Sequence, residues 1–344
     1  MERDTKINSP FHGKFGPLLI AEIGGNHEGD FEYAKKLSQL AIDTNVDYVK
    51  FQIYTGDTLV SQLESPDRNK HFKKFELTKD NHIYLAEMVK EAGILYTSSV
   101  WDIDAMTWLD KYISLYKIGS GDLTAYSLLK KTAEKGKPII VSTGLSSEDE
   151  VLKTIEYIQS INSDYKSSEM LAVLQCTSMY PIPSADANLN VMKRLKELTN
   201  LTIGYSDHTE GSKALNYAVA IGAEILEFHF TDSREGKQFR DHKVSLTPSE
   251  ITELIQEIQL INELKGNSVK KPVTIEIENG HVESFRRAVY PSKDIKAGEV
   301  LTENNLTVLR PNHGIDARDF DKLIGKIIKK DVIKHQKLDW NLIE

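Results

Sequence analysis

Eight short apolar runs recur through the first three-quarters of the sequence, and nearly every one ends in charged or hydroxylated residues. A buried strand that ends in glutamate, lysine, serine or histidine carries polar groups that are costly unless they are paired or used. Eight such runs with helix-like stretches between them predict a parallel barrel whose strand ends converge on one site. The runs are LLIAEIG from Leu18, DYVKFQI from Asp47, ILYTSSV from Ile94, LYKIGSG from Leu115, PIIVSTG from Pro138, LAVLQCTS from Leu171, LTIGYSDH from Leu201 and EILEFHFT from Glu224.

The stretches between these runs have apolar residues at three- and four-residue spacing, as amphipathic helices do, and several end in glycine. Strand-to-strand spacing of about 20–35 residues fits repeated βα units of about 30 residues. We therefore predict an α/β fold, a TIM (β/α)8 barrel. An inserted segment from Thr55 to Leu77 carries four Lys or Arg residues. These would either close over an anionic ligand or lie on a solvated surface excursion, and charge alone favours the second interpretation.

Charge, cysteine content and hydropathy exclude several classes of protein. The formal net charge of −8 argues against a general binder of nucleic acid or acidic membranes. The single cysteine, Cys176, excludes an intrachain disulfide framework and a cysteine zinc site. The opening residues MERDTKINSPFHGKFG lack the apolar core of a signal peptide, and no run is long enough to span a bilayer. We expect a cytoplasmic protein that binds neither nucleic acid nor a membrane.

The pattern changes toward the end of the chain, which predicts a barrel domain over 1–266, a linker over 267–283 and a small domain over 284–344. The small domain holds a weak repeat, DIKAGEVLTENNL from Asp294 and DVIKHQKLDWNLI from Asp331. We call the two copies of this repeat hooks, and together they predict a compact pseudo-symmetric module of short strands and turns. A module of this size is expected to have little core of its own and to dock on the barrel or on a partner subunit.

Active sites of parallel barrels lie at the carboxyl ends of the strands and in the loops that follow them. Lys50 and Lys117 lie within apolar strands, where lysine is rarely buried unless it is paired. Two ammonium groups beside serine hydroxyls would form a phosphate pocket, and the alternative is a structural pair of lysine with Asp or Glu. The strand-end residues are Glu22, Lys50, Gln52, Ser98, Lys117, Ser120, Asp122, Ser142, Ser178, Ser206, His208 and His229.

His208 and His229 come at or near the ends of the seventh and eighth runs, which are neighbours in a closed barrel. Either histidine alone is an ordinary hydrogen-bonded residue by default. Together, with positions left open for substrate and water, they suit a divalent ion acting as a Lewis acid. Glu22 is either an acid/base group or the salt-bridge partner of Lys50. Asp241, in the loop after the eighth run, either binds substrate hydroxyls or is a solvated loop residue.

In this order the residues resemble the sialic acid synthase family, the phosphoenolpyruvate-dependent synthases of nonulosonic acids. The resemblance is carried by AEIGGNHEGD, VKFQ, YKIGSGD, STGLS, QCTSMYP, GYSDHTEG, EFHFTD and DHKVSL. It continues into RRAVYPSKDIKAGEVLTENNLTVLRP, which is similar to the family's C-terminal antifreeze-like (SAF) domain. It implies a TIM barrel with a small C-terminal SAF domain, in a domain-swapped homodimer. The chain departs from the family's common pattern at Ser98, Asp122, Ser178 and Asn312.

The resemblance also implies roles for single residues. His208 and His229 would bind a divalent metal ion, usually Mn2+ or Mg2+, and Arg310 would reach from the SAF domain into the partner's site. The residues at the positions that bind the phosphate and carboxylate of phosphoenolpyruvate are Lys50, Ser98, Lys117, Ser120, Ser142, Ser178 and Ser206. Those at the acyl-amino-sugar and reaction-centre positions are Glu22, Gln52, Asp122, Tyr180 and Asp241.

The implied reaction condenses phosphoenolpyruvate with the open-chain aldehyde of an N-acetylated amino sugar and releases phosphate. N-Acetylmannosamine, which would give N-acetylneuraminate, is the simplest substrate. The close alternative is a legionaminate- or pseudaminate-type synthase that uses a 6-deoxy-diacetamido hexose. A non-catalytic carbohydrate-binding barrel would have lost strand-end lysines or histidines, and this sequence keeps them. A metal-dependent hydrolase would usually have more ligands, such as paired histidines on the first strand, and AEIGG has none.

Overall fold

The computed structural model describes residues 9–344, and its first compact unit, which ends at Gly266, is the predicted barrel. Its strands occupy the apolar runs found in the sequence. They are β1 (His12–Gly13), β2 (Gly16–Glu22), β3 (Tyr48–Ile53), β4 (Leu95–Val100), β5 (Tyr116–Ile118), β6 (Ile139–Ser142), β7 (Leu171–Cys176), β8 (Thr202–Asp207) and β9 (Ile225–His229).

The strands β2 to β9 are parallel neighbours in chain order, and the sheet closes because β2 also pairs with β9. The closing register sets Leu18 opposite Ile225 and Glu22 opposite His229. The short strand β1 runs antiparallel to β2, where His12 faces Pro17. The predicted TIM barrel is therefore confirmed.

Residues of each strand alternate between the barrel interior and the layer under the helices. On β2, Leu18 and Ile20 belong to the interior apolar cluster, whereas Leu19 and Ala21 pack in the cluster between sheet and helices. The same alternation turns Glu22 inward at the carboxyl end of the strand. Interior positions thus change from apolar to polar along the strands, which gathers the polar side chains at one end of the barrel.

Helices follow the strands and cover the outside of the barrel. At α10, the Thr247 N–H donates to the Glu250 carboxylate at 2.8 Å and Pro248 stands in the first turn, a strong start signal. Among residues 9–344, no helix is long and apolar enough to cross a membrane. The helices are α1 (Phe31–Asp43), α2 (Gly56–Leu59), α3 (Pro66–Phe75), α4 (Lys79–Glu91), α5 (Ala105–Leu109), α6 (Tyr126–Ala133), α7 (Glu148–Ile161), α8 (Asn190–Thr199), α9 (Lys213–Ala220) and α10 (Pro248–Lys265).

A second compact unit runs from Asn267 to Glu344. It holds α11 (Thr274–Glu278), α12 (His281–Ser284), the antiparallel strands β10 (Ala288–Pro291) and β11 (Leu306–Leu309), and α13 (Phe320–Leu323). The expectation of little internal core was wrong, because the turns wrap apolar residues of both hooks around one centre. The buried cluster consists of Val289, Ile295, Leu301, Leu306, Ile315, Leu323, Ile328, Val332, Leu338 and Ile343.

The two sequence hooks pair with each other reciprocally. Ile295 and Val332 exchange backbone hydrogen bonds of 2.9 and 3.0 Å in an antiparallel bridge. The Asp331 carboxylate accepts the N–H of Ala297 at 2.9 Å, and the Asp294 carboxylate accepts the N–H of Lys334 at 2.8 Å. Each hook therefore supplies the same contact to the other, and the predicted pseudo-symmetry is confirmed.

Candidate active site

The carboxyl ends of the barrel strands open into one cavity of about 950 Å³. The structure brings together most of the residues that the sequence selected, from strands and loops all around the barrel. Those that line the cavity are Glu22, Lys50, Gln52, Lys117, Ser120, Asp122, Ser142, Ser178, Tyr180, Ser206, His208, His229 and Asp241.

Two buried lysines form a network with two buried glutamates on the cavity floor. Lys50 donates to Glu22 and lies 3.2 Å from Glu227 Oε1, and the Lys117 Nζ atom lies 3.1 Å from Glu227 Oε2. Each lysine is only 3% exposed, and Lys117 also donates to the Ser142 hydroxyl at 2.7 Å. Both lysines are thus ion-paired, and both also line the cavity, so their role in a phosphate pocket stays a prediction.

Burial separates the behaviour of the two carboxyl groups in this network. Burial raises the pKa of Glu22, with Lys50 opposing that rise and Glu227 adding to it. Burial acts on Glu227 as well, but Lys117 and Lys50 both face it and hold its pKa well below the usual range. Glu227 therefore stays ionised, while Glu22 is the carboxyl group that takes up a proton more readily.

Glu227 is a site residue that the sequence analysis missed. It lies two positions before His229 on β9, and the two-residue period of a strand puts both side chains on the same face. Both of them line the cavity. In the sequence EFH, the two-residue spacing between Glu227 and His229 was the signal that could have identified Glu227.

Serine hydroxyls line the part of the cavity formed by β5 to β8. Ser142 and Ser206 lie on β6 and β8, and Ser120 and Ser178 follow β5 and β7. The Ser120 hydroxyl accepts the N–H of Gly144 at 3.0 Å. A Cβ atom at Gly144 would come within 2.8 Å of the Ser120 hydroxyl and 3.0 Å of the Ser178 side chain, so only glycine fits between these two serines.

Ser98 does not line the cavity, in contrast to the position assigned to it from the sequence. Its side chain is fully buried, and its hydroxyl donates to the carbonyl groups of Phe51 and Ser99 at 2.9 and 3.0 Å. The neighbouring residue on β4, Ser99, is the one that lines the cavity. Alternation along the strand explains the difference, since only every second residue of β4 faces the interior.

The two candidate metal ligands lie side by side at the end of β8 and β9. The ring centres of His208 and His229 are 5.3 Å apart, and the ring of Tyr180 lies 4.0 Å from the first and 5.4 Å from the second. The Nδ1 atom of His208 is 2.7 Å from the Thr177 carbonyl, to which it donates, so in the neutral ring the lone pair lies on Nε2. The buried Nδ1 atom of His229 has no hydrogen-bond partner within residues 9–344.

These observations fit a divalent ion. Burial, with added repulsion from His208 and Lys50, lowers the pKa of His229 well below its usual value, and the neutral ring is the form that binds metals. Within the described part of the chain, no group of three or more His, Cys, Asp or Glu side chains is arranged to hold a metal. A two-histidine site therefore leaves several coordination positions for water or substrate oxygen atoms.

The loop after β9 contacts Tyr180, the residue whose ring lies beside the histidine pair. The Arg240 guanidinium lies 4.4 Å from the centre of the Tyr180 ring, and its Nε donates to Asp241 at 2.9 Å. Asp241 is buried, which raises its pKa although Arg240 opposes the rise. The loop is fixed from below, where Ser245 donates to the Asp241 carbonyl at 2.7 Å and accepts from Asn26 at 2.8 Å. Asp241 is thus a buried, hydrogen-bonded residue of the cavity wall and is not a solvated loop residue.

Asp122 lies on the opposite side of the cavity, in the turn after β5. Burial raises its pKa to about 6, although the indole N–H of Trp101 and the charge of Lys117 both favour the ionised form. Its carboxyl group therefore changes charge close to neutral pH.

An aromatic clasp closes the outer part of the cavity. The inserted segment forms α2 and α3, and of its four Lys and Arg residues only Arg68 lines the cavity. The segment contributes rings instead: Phe75 lies 4.9 Å from Phe239 of the loop after β9, and Phe72 lies 5.2 Å from Tyr54. The clasp consists of Tyr54, His71, Phe72, Phe75, Trp101 and Phe239.

Arg310 belongs to the second compact unit, directly after β11. Its guanidinium lies 5.2 Å from the centre of the Phe285 ring in the same unit. Its role at a partner's barrel stays a prediction from the sequence.

Comparisons with known proteins give consistent results for both units. The profile of the NeuB family matches residues 37–270, and that of the SAF domain matches residues 286–344. The N,N'-diacetyllegionaminic acid synthase of Campylobacter jejuni is 34% identical over 91% of this chain and 96% of its own length. The N-acetylneuraminate-9-phosphate synthase of Homo sapiens is 32% identical over 91% of this chain and 89% of its own.

Solved structures resemble the chain as well. The N-acetylneuraminic acid (sialic acid) synthetase from Leptospira borgpetersenii, in complex with citrate, is 30% identical and superposes with a TM-score of 0.70. That alignment covers 77% of this chain and 90% of the other. The pseudaminic acid synthase of Campylobacter jejuni is a further relative in sequence, 31% identical over 92% of this chain and 93% of its own.

Proposed function

Because the chain belongs to the NeuB family of nonulosonic acid synthases, and is therefore an enzyme, we propose that it condenses phosphoenolpyruvate with the open-chain aldehyde of an acetamido sugar. One observation carries the proposal. Two buried, ion-paired lysines and a pair of adjacent histidines line a single cavity, which can hold an anion on one side and a carbonyl group on the other.

The lysines and serines account for the anionic substrate. Lys50 and Lys117 place two ammonium groups on the cavity floor, partly balanced by the carboxylate of Glu227, and Ser120, Ser142 and Ser206 add hydroxyl donors to the same cavity. Charge-assisted hydrogen bonds of this kind bind phosphate and carboxylate groups strongly in a buried site. They would hold phosphoenolpyruvate so that its C3 atom faces the sugar aldehyde, which lowers the entropic part of the barrier.

The proposed reaction balances with one molecule of water as the further reactant. A C–C bond forms between C3 of phosphoenolpyruvate and the aldehyde carbon, and the aldehyde oxygen takes up a proton. Water adds to C2, and the C–O bond to phosphate then breaks to release inorganic phosphate. Glu22 is suited to guide the water or a proton, because its buried carboxyl group has a raised pKa and is oriented by Lys50 and Gln52.

His208 and His229 would hold a divalent ion such as Mn2+ or Mg2+. When bound, such an ion would act as a Lewis acid that polarises the aldehyde oxygen. The protein contributes the geometry: the Thr177 carbonyl fixes the tautomer of His208, and the Tyr180 ring restrains both imidazoles.

The sugar has two candidates. N-Acetylmannosamine is the simplest acceptor, and its product would be N-acetylneuraminate. A 6-deoxy-diacetamido hexose is the other, as expected if the chain works like its diacetyllegionaminic or pseudaminic acid synthase relatives.

The decisive experiment measures phosphate release from phosphoenolpyruvate with each acetamido sugar, with Mn2+ and after chelation. We expect release that requires both sugar and metal, and its loss in a Lys117→Met variant. Calorimetry of Mn2+ binding gives an independent readout, which His229→Gln should abolish while Glu22→Gln keeps it. Binding of sugars without phosphate release under any condition would refute the proposed function. Unchanged turnover in Glu22→Gln would remove only the role proposed for Glu22.

A further inference from the structure

The cavity has two chemically different sides. Serine hydroxyls line the side formed by β5 to β8, whereas the aromatic clasp lies over β2, β3, β4 and the loop after β9. Leu59 and Val60, at the end of α2 and just after it, extend the clasp with aliphatic surface. One side of the cavity therefore carries mainly hydroxyl groups, whereas the other carries the six rings of the clasp with a few polar side chains, such as Gln52 and Gln238, among them.

The clasp is a packed structure within the barrel unit. The ring of His71 lies 4.4 Å from Phe75, and Phe75 in turn lies 4.9 Å from Phe239. On the other side of the mouth, the Tyr54 ring stacks on Trp101 at 5.4 Å. Phe75 and Tyr54 are each only 5% exposed. Rings held in this way present a defined apolar wall.

The turn after β2 sets how closely the clasp can approach the strand ends. A Cβ atom at Gly25 would lie 3.1 Å from two ring atoms of Phe239 and 3.5 Å from Phe75. The glycine lets the Phe239 ring rest directly on the backbone at the mouth of the cavity. The clasp therefore approaches the strand ends as closely as the backbone allows.

The part of the sugar that contacts this wall depends on where the sugar aldehyde and phosphoenolpyruvate bind. If the aldehyde lies at His208 and His229, the loop that carries Asp241 lies directly beside it. Phe239 is two residues before Asp241 in that loop and lines the same cavity, so a sugar tail that extends along the loop would meet the clasp. With phosphoenolpyruvate on the serine side, as proposed above, the clasp side would be left for the sugar.

From this arrangement, and resting on the proposed function, we propose that the aromatic clasp selects an acetamido sugar whose tail carries methyl groups in place of free hydroxyl groups or a phosphate. Of the two candidate sugars, the 6-deoxy-diacetamido hexose has these groups, a second acyl methyl and a terminal methyl. Each methyl that enters an apolar pocket changes kcat/KM by about tenfold or more. Hydroxyl groups facing the rings would lose hydrogen bonds to water without regaining them.

Arg68 is the feature of the cavity that would favour a sugar whose tail carries a phosphate. It lines the cavity from α3, and it forms no salt bridge with any residue from 9 to 344. A phosphate on the sugar would be its natural ligand. However, the nearby Lys73 pairs with Asp57 at 2.8 Å, and Arg240 pairs with Asp241. A lone exposed guanidinium offers little for a dianion, so the apolar wall dominates this end of the cavity.

The test compares kcat/KM for three sugars with the full-length, Mn2+-loaded protein: the 6-deoxy-diacetamido hexose, N-acetylmannosamine and N-acetylmannosamine 6-phosphate. We expect a preference of at least tenfold for the first sugar. A preference for either of the others overturns the inference and leaves the proposed function intact. If no sugar supports phosphate release, both are refuted together.

Variants separate selection by the clasp from general damage. Phe239→Gln should lower kcat/KM for the 6-deoxy-diacetamido hexose by about tenfold, mainly through KM, with a much smaller effect on N-acetylmannosamine. Phe239→Leu should restore most of the preference. Tyr84→Gln replaces a half-exposed aromatic residue of α4 that does not line the cavity, so it is the matched control and should leave the preference unchanged. Equal losses for both sugars in Phe239→Gln would assign the ring a purely structural role.

Discussion

The Nζ atom of Lys117 lies 3.1 Å from Oε2 of Glu227, and the other carboxylate oxygen of Glu227 lies 3.2 Å from Lys50. One carboxylate thus faces both lysines of the cavity floor. Without it, two buried ammonium groups would share Glu22 alone.

We therefore expect Glu227→Ala to lower the free energy of unfolding by about 3–5 kcal/mol, the usual effect of removing one partner of a buried ion pair. Urea unfolding followed by circular dichroism measures it. Glu148→Gln, which breaks the fully exposed pair with Arg194, is the control and should leave the midpoint unchanged. A Glu227→Ala protein as stable as the parent would show that water replaces the carboxylate without cost.

Asp122 should give the enzyme an ionisation near pH 6. Its pKa is raised to about 6 by burial, so the carboxylate that would accept a sugar hydroxyl is lost as the pH falls through that value. We expect kcat/KM to decrease below pH 6 in the parent and to lose this inflection in Asp122→Asn. Trp101→Phe removes a hydrogen bond that favours the ionised form, so the inflection should move to higher pH. An inflection that persists in Asp122→Asn would belong to another group.

Ser98 and Ser99 are neighbours whose substitutions should have opposite effects. Ser98→Ala removes the single hydroxyl proton that the buried carbonyl groups of Phe51 and Ser99 share, so we expect a loss of about 1 kcal/mol in stability and no change in KM for phosphoenolpyruvate. Ser99→Ala removes a cavity hydroxyl, so KM should rise while stability stays close to that of the parent. Steady-state kinetics and thermal unfolding of the two variants test this. A raised KM in Ser98→Ala together with a loss of stability in Ser99→Ala would indicate that Ser98 is the residue that binds substrate.

Two histidines buried beside Phe51 should make stability depend on pH. Burial lowers the pKa of His27 to about 4 and that of His82 to about 3, from an ordinary value of 6.5. Between those values the unfolded chain binds more protons than the folded one, so stability is fully present above pH 6.5 and falls as the pH drops. Each histidine contributes about 1.4 kcal/mol per pH unit to that slope.

Urea unfolding of His82→Gln between pH 6.5 and pH 5 should therefore show a slope smaller by about that amount. Comparison with the parent cancels the contribution of buried carboxyl groups, whose raised pKa values act with the opposite sign. His313→Gln, at an exposed position of the second unit, should leave the slope as it is. An identical slope in His82→Gln and the parent would contradict the assignment.

Arg310 is predicted to act in the site of a partner subunit. If so, Arg310→Ala and His229→Gln should each be inactive alone. A mixture after subunit exchange should regain about one quarter of the parent activity, because half of the dimers would be mixed and each would have one intact site. No recovery, with exchange verified by mass spectrometry, would place Arg310 outside the partner's site.

The barrel could be predicted because its strands are buried on both faces and polar only where they end. Glu22 and Lys50 illustrate this well: each interrupts an apolar run, and each lies at the predicted end of the barrel. Alternation along the strand explains the two errors of detail. Ser98 has the wrong parity for the interior, and Glu227 has the same parity as His229 but was hidden inside an apolar run.

The aromatic clasp could not have been predicted from the same pattern. Phe75 and Phe239 are far apart in sequence and lie outside the barrel strands, so no local period connects them. The charges of the inserted segment were its most visible feature, yet its rings are what closes on the cavity. Contacts of this kind are set by the path of two loops in space, which sequence spacing does not determine.

The reciprocal contacts of Asp294 and Asp331 have a consequence for the order in which the C-terminal unit is made. Each hook needs the carboxylate of the other to complete its turn, so the first hook has no finished structure until the second has left the ribosome. We therefore expect the two hooks to fold together, after the second has been synthesised. A chain interrupted between the two hooks would leave Leu301 and Ile295 without the residues of the second hook that bury them.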